Sequence, residues 1–167
     1  MSDKPAAPAS AETPSERTFL VVVDDSPELM VALRYASRRA KRTGGKVAML
    51  YVIDPIEPQQ WAAVGDLMKQ EAREQAEEVV HRFSELVVAL TGILPTTIVR
   101  EGNRRDELLK LVTEDPGISV LVLAAATGPE GPGPLVSALA SKYASTLRVP
   151  LTIVPGNLTE AQIDAIS

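Results

Sequence analysis

A chain of 167 residues with 17 basic and 22 acidic side chains carries a formal charge of −5, a mild acidity that leaves no basic footprint for nucleic acid. It contains no cysteine, which excludes a disulfide framework, a thiolate metal site and a cysteine nucleophile. No apolar run reaches the roughly 18 residues that a membrane-spanning helix needs, and the length suits one domain with its own core. Taken in chain order, Met1 to Arg17 is rich in Pro, Ala, Ser and Glu and lacks an apolar segment. It reads as a disordered tail and not as a secretory leader.

Order is expected to begin near Thr18. Phe19-Leu20-Val21-Val22-Val23 is a short continuous apolar run, the pattern of a strand buried on both faces. In Asp24-Asp25-Ser26-Pro27-Glu28 the serine suits a helix N-cap and the proline the first helical position. The following helix sets Leu29, Leu33, Ala36 and Ala40 on one face and Arg34, Arg38, Lys41 and Arg42 on others, and Gly44-Gly45 stops it. Val47 to Ile53 is the next strand, and Asp54 to Pro58 a loop. A long helix then spans about Gln60 to Leu90, because Trp61, Val64, Met68, Ala72, Ala76, Val79, Phe83, Leu86 and Leu90 recur at three- and four-residue steps. Gly92 ends it. Thr97 to Arg100 is a third strand, followed by a helix carrying Leu108, Leu109 and Val112. A fourth strand follows Pro116-Gly117, a helix spans about Leu135 to Leu147, and a fifth strand starts after Pro150. Alternating strands and helices imply an α/β fold with a parallel, right-handed, doubly wound sheet. From Asn157 to Ser167 the chain reads as a short tail in which Thr159 to Gln162 resembles a capped helical turn, marginal on its own.

The fourth strand feeds Thr127-Gly128-Pro129-Glu130-Gly131-Pro132-Gly133-Pro134 and then a helix. Strand, glycine-rich loop and helix is the layout by which open α/β sheets hold phosphate. Three prolines interrupt this loop, and proline has no N–H to donate. A hydrogen bond to a charged group is worth roughly 1.5–3 kcal/mol, so losing two donors weakens a phosphate site on the order of a hundredfold.

Val21 to Ser26, Leu50 to Asp54, Arg100-Glu101-Gly102 and Val149 to Val154, in this order and spacing, resemble the universal stress protein family from about Phe19 to Pro155. The resemblance implies an open, Rossmann-like, five-stranded parallel sheet of order 3-2-1-4-5 with helices on both faces. It implies a domain over residues 18–155 between a tail over 1–17 and one over 156–167. It also implies a cytoplasmic homodimer paired through the last strand, Leu151 to Val154, and a site for ATP or AMP. The family signature is Gly-x2-Gly-x9-Gly-Ser/Thr after the fourth strand. In ungapped register Ala124, Thr127 and Ser137 stand at the glycines and Ala138 at the hydroxyl residue; a shifted register uses Gly128 and Gly131 and reaches Ser141. Asp24 matches the acidic residue beside the nucleoside, Val52 the backbone contact to the base, and Gly102 the glycine near the ribose.

Other signals point to bland roles. Adjacent Asp24 and Asp25 on a strand face opposite ways and suit capping better than Mg²⁺. His81, the single histidine, sits at the edge of the long helix's apolar stripe, away from strand ends and from any triad. The basic face of the first helix lacks interleaved aromatics. Arg104 and Arg105 either begin a solvated helix or lend charge to the altered cradle. Trp61 packs in the core, over the pocket or at an interface. The expectation is a non-catalytic regulatory or binding protein of the stress response with a weakened nucleotide site. The alternative is a nucleotide-bound sensor with slow ATPase or autophosphorylation activity.

Overall fold

The β-branched run Thr18–Val23 forms β1, with every side chain buried. The computed structural model describes residues 16–55 and 62–167, so Trp61 and most of the N-terminal tail lie outside the described residues. The elements after β1 are α1 (Leu29–Thr43), β2 (Lys46–Ile53), α2 (Ala62–Thr91), β3 (Thr96–Glu101), α3 (Arg104–Glu114), β4 (Ile118–Ala125), α4 (Pro134–Ala140), β5 (Leu151–Pro155) and α5 (Glu160–Ile166). The strands form one sheet of order β3-β2-β1-β4-β5, and all four pairings are parallel.

Alternation along β1 divides the core. Phe19, Val21 and Val23 pack with Leu29, Leu33 and Ala36 of α1 and with Val80 and Val87 of α2. Leu20 and Val22 pack on the other face with Leu108 and Val112 of α3 and Leu139 of α4. A strand whose successive side chains point to opposite faces must be apolar throughout when helices cover both.

The structure departs from the sequence reading at four places. Helix α1 starts at Leu29, and neither Ser26 nor Glu28 caps it with a side chain. Instead the Asp24 carboxylate accepts the Ser26 N–H at 2.9 Å, and the Leu29 N–H donates to the Ser26 carbonyl, so Ser26 and Pro27 make a turn. Helix α2 has 30 residues, about 45 Å at 1.5 Å per residue, whereas β2 has 8, about 26 Å. The N-terminal turns of α2 therefore overhang the sheet, and Val64, Leu67 and Met68 are exposed. Helix α4 stops at Ala140, short of Leu147. The Ser141 hydroxyl donates to the Ser137 carbonyl at 2.6 Å, the competition with backbone bonding that serines bring to a helix.

Residues 156–167 hold the fourth departure. Thr159 and Gln162 close a reciprocal capping box at the start of α5. Seven residues cannot sustain a helix alone, and the missing stabilisation comes from docking on α1. Ile163 is buried, and the Asp164 carboxylate takes Arg34 Nε at 2.9 Å, Arg34 Nη2 at 2.8 Å and Arg38 Nε at 3.0 Å. Arg42 reaches the Asp164 carbonyl. The basic face of α1 is thus in part a docking surface for the chain's own C-terminus.

The hydrogen bond from Arg34, with the bond from Arg38 and the two positive charges, holds the Asp164 carboxyl at about 2 against its ordinary 3.8. Because the folded value is the lower, this contribution is fully present above about pH 4 and is lost as pH falls toward 2. Asp164→Asn is expected to lower the thermal midpoint at neutral pH, and its gap from the parent should close between pH 4 and 2 in circular-dichroism melts.

Candidate functional site

The sheet order places β1 beside β4, and the connection leaving β1 runs toward β2 while the one leaving β4 runs toward β5, in opposite directions. A crevice opens where the strand order reverses, beyond the carboxyl ends of β1 and β4. There a cleft of about 420 Å³ is walled by the turn after β1, by Ala124 and Ala126 of the β4 exit, and by Pro132 to Val136. Asp24, Asp25, Glu28 and Arg104 also line it.

The strand ends at Val23, so the alternation expected to separate Asp24 from Asp25 no longer applies, and both stand at the rim of the cleft. Asp24 is already engaged with the Ser26 amide and lies 3.9 Å from the Arg104 guanidinium. Arg104 Nε is fully buried and has no partner. Arg105 turns away: it pairs with Asp106 at 3.0 Å and its guanidinium lies over the Tyr143 ring. The two adjacent arginines therefore take different roles, one in the cleft and one in a surface cluster. Asn103 caps α3 by accepting the Asp106 N–H, which fixes the helix start that aims Arg104 at the cleft.

The loop leaving β4 closes on itself. The Ala126 N–H donates to the Pro132 carbonyl at 3.0 Å and the Gly131 N–H to the Gly128 carbonyl at 3.3 Å. Gly131 and Gly133 have positive φ, 95° and 102°, conformations that a side chain would strain. Pro129, Pro132 and Pro134 contribute no N–H and the Ala126 and Gly131 amides are already used, while the N–H groups of Thr127, Gly128, Glu130 and Gly133 donate to no backbone acceptor.

Of the residues the sequence nominated, Asp24, Ala124 and Arg104 line the cleft. Val52, Gly102, Thr127, Gly128, Ser137 and Ala138 do not line it, although all follow or end strands on the same edge of the sheet or start α4. Val52 is buried near the end of β2, Gly102 has φ 145°, and Thr127, Gly128 and Ser137 are exposed. Glu28 and Gly156 were missed. The Gly156 N–H donates to the Ala125 carbonyl, and a Cβ there would run into that oxygen and into the Glu28 side chain. The turn after β5 thus pins the Glu28 wall, a long-range contact with no signature in the local sequence. Among the described residues no group of three or more acidic or histidine side chains is placed to hold a metal ion.

A family model for the universal stress protein family matches residues 16–155. The chain is similar to the solved universal stress protein UspA of Lactobacillus plantarum, at 17% identity and TM-score 0.67 over 85% of this chain and 99% of that one. It is similar to a universal stress protein solved in complex with cAMP, at 18% identity and TM-score 0.61 over 86% and 99%. The universal stress protein of Archaeoglobus fulgidus in complex with dAMP matches at 14% identity and TM-score 0.58 over 84% and 98%. At such identities the likeness establishes a common fold. The chain has no match among curated proteins.

Gly156→Ala forces either the Ala125 carbonyl or the Glu28 side chain to move. It is expected to cost about 1–3 kcal/mol of stability, measured as a lower urea midpoint with unchanged slope.

Proposed function

This chain belongs to the universal stress protein family, and we propose that within it the protein is a non-catalytic regulatory module of a stress response, with a diverged and weak adenine-nucleotide site. The single observation that carries this reading is the charge of the cleft. Asp24, Asp25 and Glu28 line it against one guanidinium, Arg104, where a triphosphate needs positive charge and free amides. The self-bonded loop and its prolines act in the same direction. A nucleoside or monophosphate suits the cleft better than ATP.

In this reading Asp24 meets the nucleoside, the Val52 backbone the base and Gly102 the ribose, while Thr127, Gly128, Ser137 and Ala138 border the phosphate end. A bound nucleotide supplies a conformational signal and no chemistry. The relatives solved with cAMP and dAMP support an adenine ligand.

The protein acts as a homodimer through Leu151 to Val154. β5 is a sheet edge and Ile153 on it is exposed, while Pro150 and Pro155 limit the ladder to a few residues. A cytoplasmic setting agrees with the family and with the lack of cysteine. No described helix is long and apolar enough to cross a membrane.

The second reading, a sensor with slow ATPase or autophosphorylation activity, draws on the Thr127 and Ser137 hydroxyls, both exposed near the loop. It requires Mg²⁺-dependent phosphate release that falls in Thr127→Val; equal release from the two proteins removes it.

Isothermal titration is expected to give ATP a dissociation constant above the micromolar range and no tighter than that of AMP. Asp25→Asn, which relieves like-charge repulsion at the rim, is expected to improve ATP binding by up to about fivefold. Sub-micromolar ATP binding by the parent would defeat the divergence reading. Light scattering at micromolar concentration should return twice the chain mass.

A further inference from the structure

The second large concavity lies far from the nucleotide cleft, along the other edge of the sheet. β3 is an edge strand, and α2 extends past it, leaving a groove of about 530 Å³ between helix and strand. Its walls are Val80, Ser84 and Val88 of α2 and Leu94, Thr97 and Val99 at and before β3. Leu94 is 75% exposed, and the neighbouring Ile93 is exposed too. A sheet of five strands is one strand too narrow for this helix.

The strand beside the groove is open for pairing. The Gly102 N–H donates to the Ile53 carbonyl of β2, and the register sets Ile53 opposite Glu101. In a parallel ladder the N–H and C=O of one residue point to the same side and alternate along the strand. The backbone groups of Ile98 and Arg100 therefore turn toward β2, and those of Thr97, Val99 and Glu101 turn outward. Among the described residues nothing pairs with them. The usual protections of an edge are missing from β3: it has no lysine, no proline within it and no bulge. Its one cation, Arg100, is drawn to the opposite face by Glu107 and Glu114.

The charges at the rim choose the occupant. Glu85 borders the groove with no ion-pair partner among the described residues, whereas Glu77 is paired with Arg73 at 3.3 Å and Glu101, which ends β3, stands in a pocket with Lys69 and Arg73. A second copy pairing edge to edge about a twofold axis runs antiparallel and sets Glu85 toward Glu77 of the other copy, which is repulsive. A segment with a basic residue opposite Glu85 meets it favourably.

We infer that the α2–β3 groove is a strand-addition site for another protein's short extended segment, with β-branched apolar residues at alternate positions facing α2 and lysine or arginine at the end beside Glu85. Main-chain bonds to Thr97, Val99 and Glu101 hold the segment, and the apolar positions fill the space above Thr97 and Val99. This site is independent of the nucleotide reading.

The test uses the full chain and a fluorescein-labelled peptide, Lys-Thr-Val-Thr-Val-Thr-Lys, whose alternation places both valines and both lysines on one face. Anisotropy should show saturable binding, at least about tenfold weaker for the version with glutamate ends. Amide shifts on ¹⁵N-labelled protein should centre on Thr97, Val99 and Glu101. Thr97→Pro removes an outward N–H without touching the bonds to β2, and should weaken binding about tenfold or more. Leu94→Ser, at an exposed position that a fold does not need, should weaken it severalfold with an unchanged melting temperature. No binding at millimolar peptide overturns the proposal, as does binding indifferent to both variants or shifts centred on Asp24. Concentration-dependent self-association that protects the same three amides without peptide assigns the edge to a second copy and overturns it equally. Loss of those shifts when residues 1–15 are present, and their appearance only on deletion, assigns the groove to the chain's own N-terminus and does the same.

Discussion

Burial of β1 on both faces is the constraint from which the rest of the structure follows. Each of its six side chains is removed from water, which requires helices above and below and strands on both sides. The connection leaving β1 runs toward β2 and the one leaving its neighbour β4 runs toward β5, and this reversal opens the crevice at their carboxyl ends. The cleft, the turn at Asp24 and the loop after β4 are all consequences of that central position.

In the proposed reading the cleft keeps a scaffold whose chemistry has drifted. Gly131 and Gly133 hold positive φ, while the Ala126 and Gly131 amides are bonded within the loop and three of its positions are proline. The carboxylates at the entrance oppose added negative charge, and the Arg104 guanidinium is already shared with Asp24. A ligand that carries little charge meets less resistance than one that carries much. The physical balance is therefore set by local electrostatics more than by shape.

Two exposed helix faces of the molecule are treated differently. At the C-terminus a helix too short to stand alone is fastened to α1 by one carboxylate and two guanidinium groups. Among the described residues nothing comparable covers the gap beside β3, and α2 projects beyond the sheet it packs on. Such an unfilled margin is informative because natural sheets usually blunt an exposed edge.

Much of the fold was legible in the residues themselves. Phe19 to Val23 announced a doubly buried strand, Gly44 and Gly92 the ends of two helices, and the alternation of elements a parallel sheet. The prolines of the loop after β4 announced a shortage of donors before any geometry was known. Other features escaped because they depend on groups far apart in the chain. The α2 stripe looked uniform from Val64 to Leu90, yet its first turns are exposed because periodicity carries no information about where a sheet ends. Asp164 gave no local sign that it would meet Arg34, 130 residues away, and Gly156 none that it would pin Glu28. Sequence by itself determined the elements, their order and the family, since these follow from local hydrophobic pattern and turn chemistry. Tertiary structure alone decided which of two neighbouring arginines enters the cleft and that the C-terminal segment docks as a helix on α1, because those outcomes are set by contacts between segments that only packing brings together.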